Sequence, residues 1–454
     1  MTRRQRWVSI VAVLVLVALA FVSWRAFRTL WPNAFDVDAT DELEVAKLKE
    51  ADLGKPTIAT ADWPQFYGPN RDGVVPAAEL RADWDKSPPK VLWSVPCGEG
   101  YSSFAIVGGT AYTMDKRAGS ERVVALDLTS GAERWTYDWP ASYERSGMNY
   151  MGGPRATPTV HDGKLYAAGA TGTFVCLKLP ADAKGKPELL WQKDLLAEHG
   201  ASLPQWGTAC SPLIEADVVV LQPGGKKGSV AAYDRSTGEL RWATESEPSG
   251  YSSPMAGTFG GVRQIVALTA KSLLGIRAAD GVLLWKVPFE TQYGGNVALP
   301  VIAGNYVFAS AQYGKGCGCY LVESTAKPVY FRKNAVMRNH HSTSVHRDGL
   351  LYGFDDFQLA KVDLRRGTRD DDWLPPDQQS KIKKGSVLLL GDHLLSLGQN
   401  GSLHLGKAGK ETYEPLGTLD GVLEGQECWA LPAYSGGKIV LRDAKKVVCL
   451  DVGK

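Results

Sequence analysis

Residues 123–135 read VVALDLTSGAERW, and residues 231–242 repeat the arrangement as AAYDRSTGELRW. In the first copy Asp127, Gly131 and Trp135 are each four residues apart, and the second copy keeps this spacing. An aspartate can accept backbone N–H bonds at the start of a turn, and glycine supplies the positive φ that closes it. The large, flat tryptophan suits the gap between two packed sheets. Each copy therefore predicts a strand, a tight turn and a second strand that packs on a neighbour.

A short apolar run that follows a polar turn recurs eight times along the chain. The residues that open these runs, here called the anchors, are Phe104, Pro158, Pro212, Pro254, Pro300, Ser344, Ser386 and Pro432. Their separations are 54, 54, 42, 46, 44, 42 and 46 residues. A period of this length, filled with short strands, is typical of a β-propeller in which each repeat is one four-stranded blade. The sequence therefore predicts an all-β fold, an eight-bladed β-propeller.

The prolines among the anchors indicate the order of the strands within a blade. Proline cannot donate to a strand ladder and therefore belongs on an edge strand, here the innermost one that lines the channel. The last copy ends at Asp451 without its outer strand and tryptophan, whereas Val91-Leu-Trp93 precedes the first inner strand. We therefore expect residues 90–95 to complete the last blade, and residues 90–454 to form the propeller.

Composition excludes several classes of function. The chain has 454 residues with 51 Lys+Arg against 49 Asp+Glu, so it lacks the basic surplus of a nucleic-acid binder. Sequence motifs of serine hydrolases, zinc proteases and P-loop proteins do not occur in it. Among the seven cysteines, Cys317-Gly-Cys319 is spaced too tightly for a zinc knuckle. These two residues indicate a disulfide or two inert turn cysteines rather than a metal site.

The first 24 residues differ from the rest. Three arginines precede an apolar run from Trp7 to Val22 that only Ser9 interrupts, the pattern of a signal anchor helix. A cleaved signal peptide and a buried core helix are the alternatives. We expect residues 1–24 to hold the protein in a membrane, residues 25–61 to form a stalk, and the propeller to lie in the periplasm or another extracytoplasmic space.

An aromatic-rich loop leads into the propeller at residues 62–89. Its residues 63–73 read WPQFYGPNRDG, which combines several turn signals with three aromatic side chains. Because such side chains avoid water, we expect this loop to pack across the propeller surface or to plug one mouth of the channel.

The repeat resembles the tryptophan-docking repeat of PQQ-like β-propellers, the fold of quinoprotein alcohol dehydrogenases. The non-enzymatic propeller lipoprotein of the outer-membrane barrel-assembly machinery carries similar repeats. Residues 63–73, together with RNHHSTS at 338–344 and YGFD at 352–355, are similar to a group of exported bacterial PQQ-like propeller proteins. The resemblance covers about residues 62–454. It implies the PQQ-like type of eight-bladed propeller.

The sequence departs from the quinoprotein pattern where catalysis would occur. Quinoprotein dehydrogenases carry two adjacent cysteines beside the quinone, a tryptophan beneath it, and Glu, Asn and Asp around a calcium ion. This chain has no Cys-Cys pair, and its inner strands offer no such set of oxygen ligands. A Cys-x-x-Cys-His haem motif does not occur either. We therefore expect no catalytic residue, metal or cofactor, with PQQ and calcium as the alternative.

Candidate ligand-binding residues lie just before the inner strands, where they converge on one mouth of the channel. They are Tyr101, Arg155, Trp206, Tyr251, Asn296, His340, His341 and Trp429. The alternative is that such rim residues only satisfy exposed strand edges. Neighbouring residues of a strand point to opposite faces, so at most one of the two histidines is expected to face the channel. Arg155 and Arg338 are each expected to pair with a neighbouring carboxylate, with an anion clamped between the two as the alternative. The pairs at 226–227 and 383–384 are expected to be solvated lysines.

These observations favour a non-catalytic, monomeric propeller that acts as a protein-binding or envelope-assembly scaffold. Its expected partner is an envelope or membrane protein, and no nucleic acid is expected. Two alternatives stay open. The first is a PQQ-dependent alcohol dehydrogenase-like oxidoreductase that uses the channel-mouth residues. The second is a propeller that binds a carbohydrate or another small ligand, with Trp206, Tyr251 and Trp429 as stacking surfaces.

Overall fold

The computed structural model describes residues 62–143, 152–182, 185–409, 411–425 and 427–454. Within these residues the chain forms eight sheets of four antiparallel strands, which are consecutive in sequence except in the sheet that closes the ring. One sheet carries an additional short strand, Val74–Val75, that pairs in parallel. The inner strands of neighbouring blades contact one another around a central channel. The predicted all-β, eight-bladed propeller is therefore confirmed.

The strands are given from the innermost to the outermost in each of the first four blades. Blade 1 contains Ala105–Val107, Thr110–Arg117, Ser120–Asp127 and Glu133–Pro140. Blade 2 contains Thr159–His161, Lys164–Ala168, Thr173–Lys178 and Glu188–Asp194. Blade 3 contains Leu213–Glu215, Val218–Leu221, Val230–Asp234 and Leu240–Thr244. Blade 4 contains Met255–Phe259, Val262–Leu268, Ser272–Arg277 and Leu283–Pro288.

The other half of the ring has the same organisation. Blade 5 contains Val301–Ala303, Tyr306–Ala311, Gly316–Val322 and Ala326–Lys333. Blade 6 contains Val345–Arg347, Leu350–Asp355, Gln358–Asp363 and Thr368–Asp370. Blade 7 contains Gly385–Leu390, His393–Gly398, Leu403–Lys407 and Glu414–Leu419. Blade 8 contains Ala433–Ser435, Lys438–Arg442, Lys446–Asp451 and, outermost, Lys90–Pro96.

The anchors mark the innermost strands. Seven of the eight immediately precede such a strand, and Ser386 is the second residue of the strand Gly385–Leu390. The ring closes where Lys90–Pro96 pairs antiparallel with Lys446–Asp451, so both ends of the propeller share blade 8. The strand at 90–95 therefore supplies the outer strand that the last copy lacks.

Tryptophans of the outer strands join neighbouring blades, as the repeat predicts. The indole of Trp93 in blade 8 donates to the carbonyl oxygen of Leu128 in blade 1 at 3.0 Å. Trp242 in blade 3 likewise donates to Ala278 in blade 4 at 3.1 Å. In blade 5 a tyrosine takes this place, because Tyr330 donates to Leu364 of blade 6 at 2.9 Å. The hydrogen bond between neighbouring blades is therefore kept where a tyrosine stands in place of the tryptophan.

The loop at 63–75, here called the plug, crosses the channel and bonds to the inner edges of several blades. Trp63 exchanges two backbone hydrogen bonds with Ile106 of blade 1, and Pro64 accepts one from Val160 of blade 2. On the far side, Val74–Val75 pairs in parallel with the inner strand of blade 7. The plug fills strand edges that would otherwise be unpaired and closes the channel from within.

Helix is scarce in the described residues. The helices are Leu195–His199, Pro376–Lys381 and the 3₁₀ turn Gln292–Gly294. In the described ranges no helix has the length and hydropathy to cross a bilayer. The predicted anchor helix at 1–24 and the stalk at 25–61 lie outside those ranges.

Each of the seven cysteines carries a free thiol. Cys317 and Cys319 lie on the strand Gly316–Val322 and not in a turn, and both are fully buried. Burial raises the pKa of the Cys317 thiol to about 12 and that of Cys319 further. The two residues therefore behave as small apolar side chains of the core.

Candidate functional site

The plug divides the channel into two cavities. The upper cavity lies at the mouth where the segments that precede the inner strands meet, and its volume is about 540 Å³. The lower cavity, at the opposite mouth, has a volume of about 900 Å³. Phe66 and Tyr67 line the upper cavity, whereas Gln65 and Arg71 line the lower one. The plug is therefore the floor of the upper cavity and separates it from the lower one.

Seven of the eight predicted ligand-binding residues line the upper cavity. They are Tyr101, Arg155, Trp206, Tyr251, His340, His341 and Trp429. Asn296 does not line it. Its fully buried side chain donates to the carbonyl oxygens of Thr269 and Phe289 at 2.7 and 2.8 Å and so ties two loops together below the rim. The structure thus brings together all of the candidates except this asparagine.

Four aromatic rings follow one another along one side of the upper cavity. Tyr101 stacks on Trp429 with ring centroids 5.3 Å apart. Trp429 stacks on His341 at 3.9 Å, and His341 stacks on His340 at 3.8 Å. The planes of each pair differ by 22°. Because these rings pack on one another through their faces, much of what they offer a ligand is ring edge, which carries positive partial charge.

The opposite side of the cavity completes this aromatic belt. The Tyr313 ring lies edge-on to His340 at 5.0 Å and stacks on Trp206 at 6.3 Å. Tyr251 tilts against Trp206 at 5.2 Å. Burial raises the pKa of both the Tyr251 and the Tyr313 hydroxyls, so they stay protonated at neutral pH. The belt therefore presents apolar ring surface with uncharged polar tips.

The prediction that at most one of His340 and His341 faces the channel is wrong. It assumed an extended strand, but this segment bends before the inner strand of blade 6 begins at Val345. Both rings line the upper cavity and stack on each other. Burial lowers the pKa of His340 to about 4 and also lowers that of His341. Both histidines are therefore neutral rings of the belt at pH 7.

The interpretation of residues 383–384 as solvated lysines is wrong for Lys384. This side chain is only 7% exposed and lines the upper cavity. Its ammonium contacts Nδ1 of His340 and donates to Oδ1 of Asp356 at 2.9 Å. Burial lowers its pKa, while the hydrogen bond that it donates to Asp356 opposes that change. Lys383 is exposed, as are Lys226 and Lys227.

Two aromatic lining residues that the sequence did not identify come from a different kind of loop. Tyr313 and Phe357 lie in turns between the second and third strands of blades 5 and 6. The search for candidates followed only the segments before inner strands, so it passed over these turns. In the sequence, each is visible only as an aromatic residue between two strands of one blade. The repeat pattern alone does not place such a residue at the channel mouth.

Three residues at this rim have a backbone that non-glycine residues rarely adopt. The φ angles of Tyr293, Tyr313 and Asp356 are 60°, 58° and 53°. The Tyr293 ring lies edge-on to Trp206, and Asp356 holds Lys384. Such strained conformations persist only where the surroundings fix them, and they cluster at functional sites. The rim is therefore built to hold these side chains in place.

The cationic groups of the site differ in their surroundings. Arg155 is half-buried, lies over the Tyr101 ring at 5.3 Å and donates to the carbonyl oxygen of Gly153 at 2.7 Å. Arg338 forms a bidentate pair with Asp355 at 2.6 and 3.0 Å, as predicted. Among the described residues, no aspartate or glutamate lines the upper cavity, so its charged lining is Arg155 and Lys384.

The residues around the cavity do not fit a calcium-bound quinone. Calcium takes six to eight oxygen ligands, several of them carboxylates. In the part of the chain that the structure describes, no group of three His, Cys, Asp or Glu side chains is placed to hold a metal ion. Of the carboxylates that contact lining residues, Asp356 is paired with Lys384 and Glu427 accepts a hydrogen bond from Tyr101 at 3.1 Å.

The fold and the repeats define a β-propeller of the PQQ-like class. The sequence profile of the family described as outer membrane protein assembly factor BamB matches residues 85–194 and 119–370, more than half of the chain. The chain belongs to this family of PQQ-like repeat proteins. No curated protein matches its sequence.

Solved structures show the same fold at low sequence identity. BamB from Moraxella catarrhalis is 12% identical with a TM-score of 0.54, over 80% of this chain and 97% of that one. The quinohemoprotein alcohol dehydrogenase from Comamonas testosteroni is 15% identical with a TM-score of 0.60, over 90% and 83% of the two chains. Chaetomium thermophilum Sqt1, bound to the N-terminus of ribosomal protein L10, is 13% identical with a TM-score of 0.52, over 78% and 96%. These likenesses concern the fold alone.

Proposed function

We propose that the protein is a non-catalytic propeller that binds a partner protein of the cell envelope and holds part of it in the upper cavity. The observation that carries the proposal is the aromatic belt, in which six of the predicted residues line one cavity of about 540 Å³. Apolar pockets with a few polar groups are the usual form of a binding site. Membership of a family described as an outer membrane protein assembly factor supports an envelope partner.

The chemistry of the cavity supports binding over catalysis. Its histidines are neutral and packed face to face, and its lysine is paired with a carboxylate. General acid–base catalysis needs a group whose pKa lies near the working pH, whereas the pKa of His340 is lowered to about 4. Aromatic side chains, in contrast, bury a large area at low entropic cost and dominate the energy of protein interfaces.

Partner capture tests this proposal. The full chain would be purified from its native envelope as the wild type and as the double variant Trp206→Ala, Tyr251→Ala. We expect a partner to co-purify with the wild type and to be depleted at least tenfold with the double variant. The matched control is Arg263→Gln, which removes an exposed arginine from the lower cavity. Equal recovery with all three proteins would contradict the proposal.

A small ligand is the second candidate for the same cavity. Trp206 and Tyr251 form a tilted pair at the rim, and Trp206 is only partly buried, so these rings can contact a sugar. Trp429 is less suited to stacking because Tyr101 and His341 already stack on it. Thermal shift assays with neutral sugars, and with PQQ plus calcium, measure this alternative directly. A raised melting temperature with either would favour it over partner binding.

A further inference from the structure

We infer that the lower cavity binds an organic cation, an ammonium or guanidinium group on an apolar body, whose charge is held by the carboxylate of Asp72. This site lies below the plug, at the mouth opposite the aromatic belt. The inference therefore goes beyond the proposed function and does not depend on it. It follows from the position of Asp72 in the channel, from the charges around it and from the apolar wall of the same cavity.

Asp72 lies between two blades that face each other across the ring. On one side of it, the Arg71 guanidinium donates at 2.9 Å to the carbonyl oxygen of Pro212, the residue before the inner strand of blade 3. On the other side, Val74 pairs with Leu389 in the inner strand of blade 7. Blades 3 and 7 are four places apart in the ring of eight. The plug therefore carries Asp72 across the middle of the channel, where it lines the lower cavity.

The Asp72 carboxylate forms no ion pair with another described residue. Its Oδ1 accepts the amide N–H of Val74 at 3.0 Å, within the same turn of the plug. Asp72 is partly buried, and burial raises its pKa to about 6 while backbone hydrogen bonds oppose this change. At pH 7.5 the carboxylate is therefore mostly charged, in a place where water hydrates it only in part. A cation that enters the cavity would offset this cost.

Each arginine that lines the lower cavity is already bonded elsewhere. Arg263 of blade 4 forms a bidentate pair with Glu215 of blade 3, with both contacts at 2.8 Å. Arg347 of blade 6 pairs with Asp392 of blade 7 at 2.9 Å. The buried Arg71 donates to carbonyl oxygens at blade 3. In the described part of the chain, the unpaired charge that lines this cavity is therefore negative.

The rest of the wall suits the body of an organic ligand. Met255, Val301 and Ile302 of blades 4 and 5 line the cavity with apolar side chains. His346 adds an uncharged ring, because burial lowers its pKa to about 4. Within the described ranges, no three His, Cys, Asp or Glu side chains are grouped to hold a metal ion. A cavity of about 900 Å³ with one unpaired negative group and apolar walls therefore fits an organic cation better than a metal ion.

Hexylamine and hexan-1-ol test the inference with the purified full chain. The two molecules share one alkyl chain, and the amine, like a lysine side chain, is protonated at pH 7.5. Isothermal titration calorimetry is expected to give a Kd for hexylamine at least about fivefold lower than that for hexan-1-ol, as a charge-assisted contact would. Equal affinity for the two molecules, or no binding of hexylamine at millimolar concentrations, would overturn the inference.

Two variants assign the preference to one carboxylate. Asp72→Asn is expected to raise the Kd for hexylamine to that for hexan-1-ol and to leave the alcohol unchanged. The amide keeps an oxygen that can accept from Val74, so an unchanged melting temperature is expected. Asp348→Asn is the matched control, because Asp348 lines the same cavity but its side chain is 73% exposed. It should change the Kd by less than about twofold. Equal losses in both variants would mean that the general charge of this mouth attracts the amine, and the role of Asp72 would be refuted.

A third ligand separates a free amine from a protein side chain. An acetylated and amidated pentapeptide with one lysine between alanines carries the same ammonium on a peptide. If it binds more tightly than hexylamine and loses that affinity in Asp72→Asn, the cation comes from a basic segment of a protein. Tighter binding of hexylamine, lost in the same variant, identifies a small amine. If neither ligand loses affinity in Asp72→Asn, the inference is wrong. That failure leaves the proposed function intact, because Asp72 lines only the lower cavity.

Discussion

The hydroxyl of Tyr67 donates to the carbonyl oxygen of Thr343 at 3.1 Å and accepts the amide N–H of the same residue at 2.8 Å. The phenol thus pairs with both backbone groups of one residue, just before the inner strand of blade 6, as a neighbouring strand would. Burial raises the pKa of the Tyr67 hydroxyl, which keeps it protonated as a donor. Through this one contact, a loop from the start of the domain becomes the floor of the upper cavity.

Replacement of this tyrosine tests how much the contact between Tyr67 and Thr343 contributes to the stability of the fold. Tyr67→Phe keeps the buried ring but leaves the two backbone groups of Thr343 without a partner. We expect the free energy of unfolding to fall by about 1–3 kcal/mol, the cost of unsatisfied buried groups. Denaturant titration would measure it. Tyr137→Phe on the outer strand of blade 1 is the control, with an expected change within about 0.5 kcal/mol. Similar losses in both variants would contradict the role assigned to Tyr67.

The turn glycine of the repeat is the subject of a second prediction. Gly238 has φ of +72°, and a Cβ atom there would lie 2.7 Å from Cδ2 of Trp191 in blade 2. Gly238→Ala therefore combines backbone strain with a clash against the docked indole. We expect a loss of about 2–4 kcal/mol in the free energy of unfolding.

The matched control separates strain from clash. Gly261 has nearly the same φ, +79°, but nothing lies within 4 Å of its Cβ position. Gly261→Ala should therefore cost only about 1 kcal/mol from the left-handed backbone. Thermal unfolding of the two variants gives the comparison. If Gly238→Ala and Gly261→Ala lower the free energy of unfolding equally, the tight packing of glycine against tryptophan does not explain the spacing of the repeat.

Much of the fold was predictable because the repeat encodes contacts between neighbours. The spacing of Asp127, Gly131 and Trp135 describes a turn and the tryptophan that docks on the next blade. The missing outer strand of the last copy pointed to Lys90–Pro96 in the same way. Such features depend on local geometry and a fixed period, and both can be read from sequence.

The interior of the site was less predictable because it depends on how segments bend at the end of a strand. His340 and His341 share one cavity only because the chain leaves the extended conformation there. Lys384 is buried because Asp356, which has a left-handed backbone, lies beside it. Phe357 follows that bend and reaches the rim from another loop. None of these relationships follows a period, so sequence spacing does not report them.

The closing strand gives a third prediction. Trp93 is 7% exposed and bonds to Leu128 of blade 1, and its ring covers Gly131. Trp93→Ala removes this contact at the seam where the two ends of the propeller meet. We expect a loss of about 3–5 kcal/mol, the usual cost of truncating a buried aromatic side chain. Leu92→Ala on the same strand is the control, because Leu92 is 44% exposed and should change stability by less than about 1 kcal/mol. Equal effects would mean that the seam is not held by Trp93.

The fourth prediction concerns pH. Burial and the ammonium of Lys384 lower the pKa of His340 while Asp356 opposes this, so that the pKa in the folded protein is about 4. In the unfolded chain the imidazole titrates near pH 6.5. Between these values the unfolded state binds the extra proton, so His340 destabilises the fold as the pH falls from about 6.5 to about 4. Above about pH 7 both states are neutral and the residue adds no pH dependence.

A variant without the titrating group isolates this effect. His340→Gln should show a smaller loss of unfolding free energy than the wild type between pH 7 and pH 4.5, by about 2–3 kcal/mol. Measurement of both proteins at pH 7.5 serves as the control, because the difference there reports the lost packing and hydrogen bonds of the neutral ring and not its titration. Denaturant titration at a series of pH values gives both curves. Parallel curves over the whole range would show that His340 titrates normally in the folded protein and is not a desolvated ring of the aromatic belt.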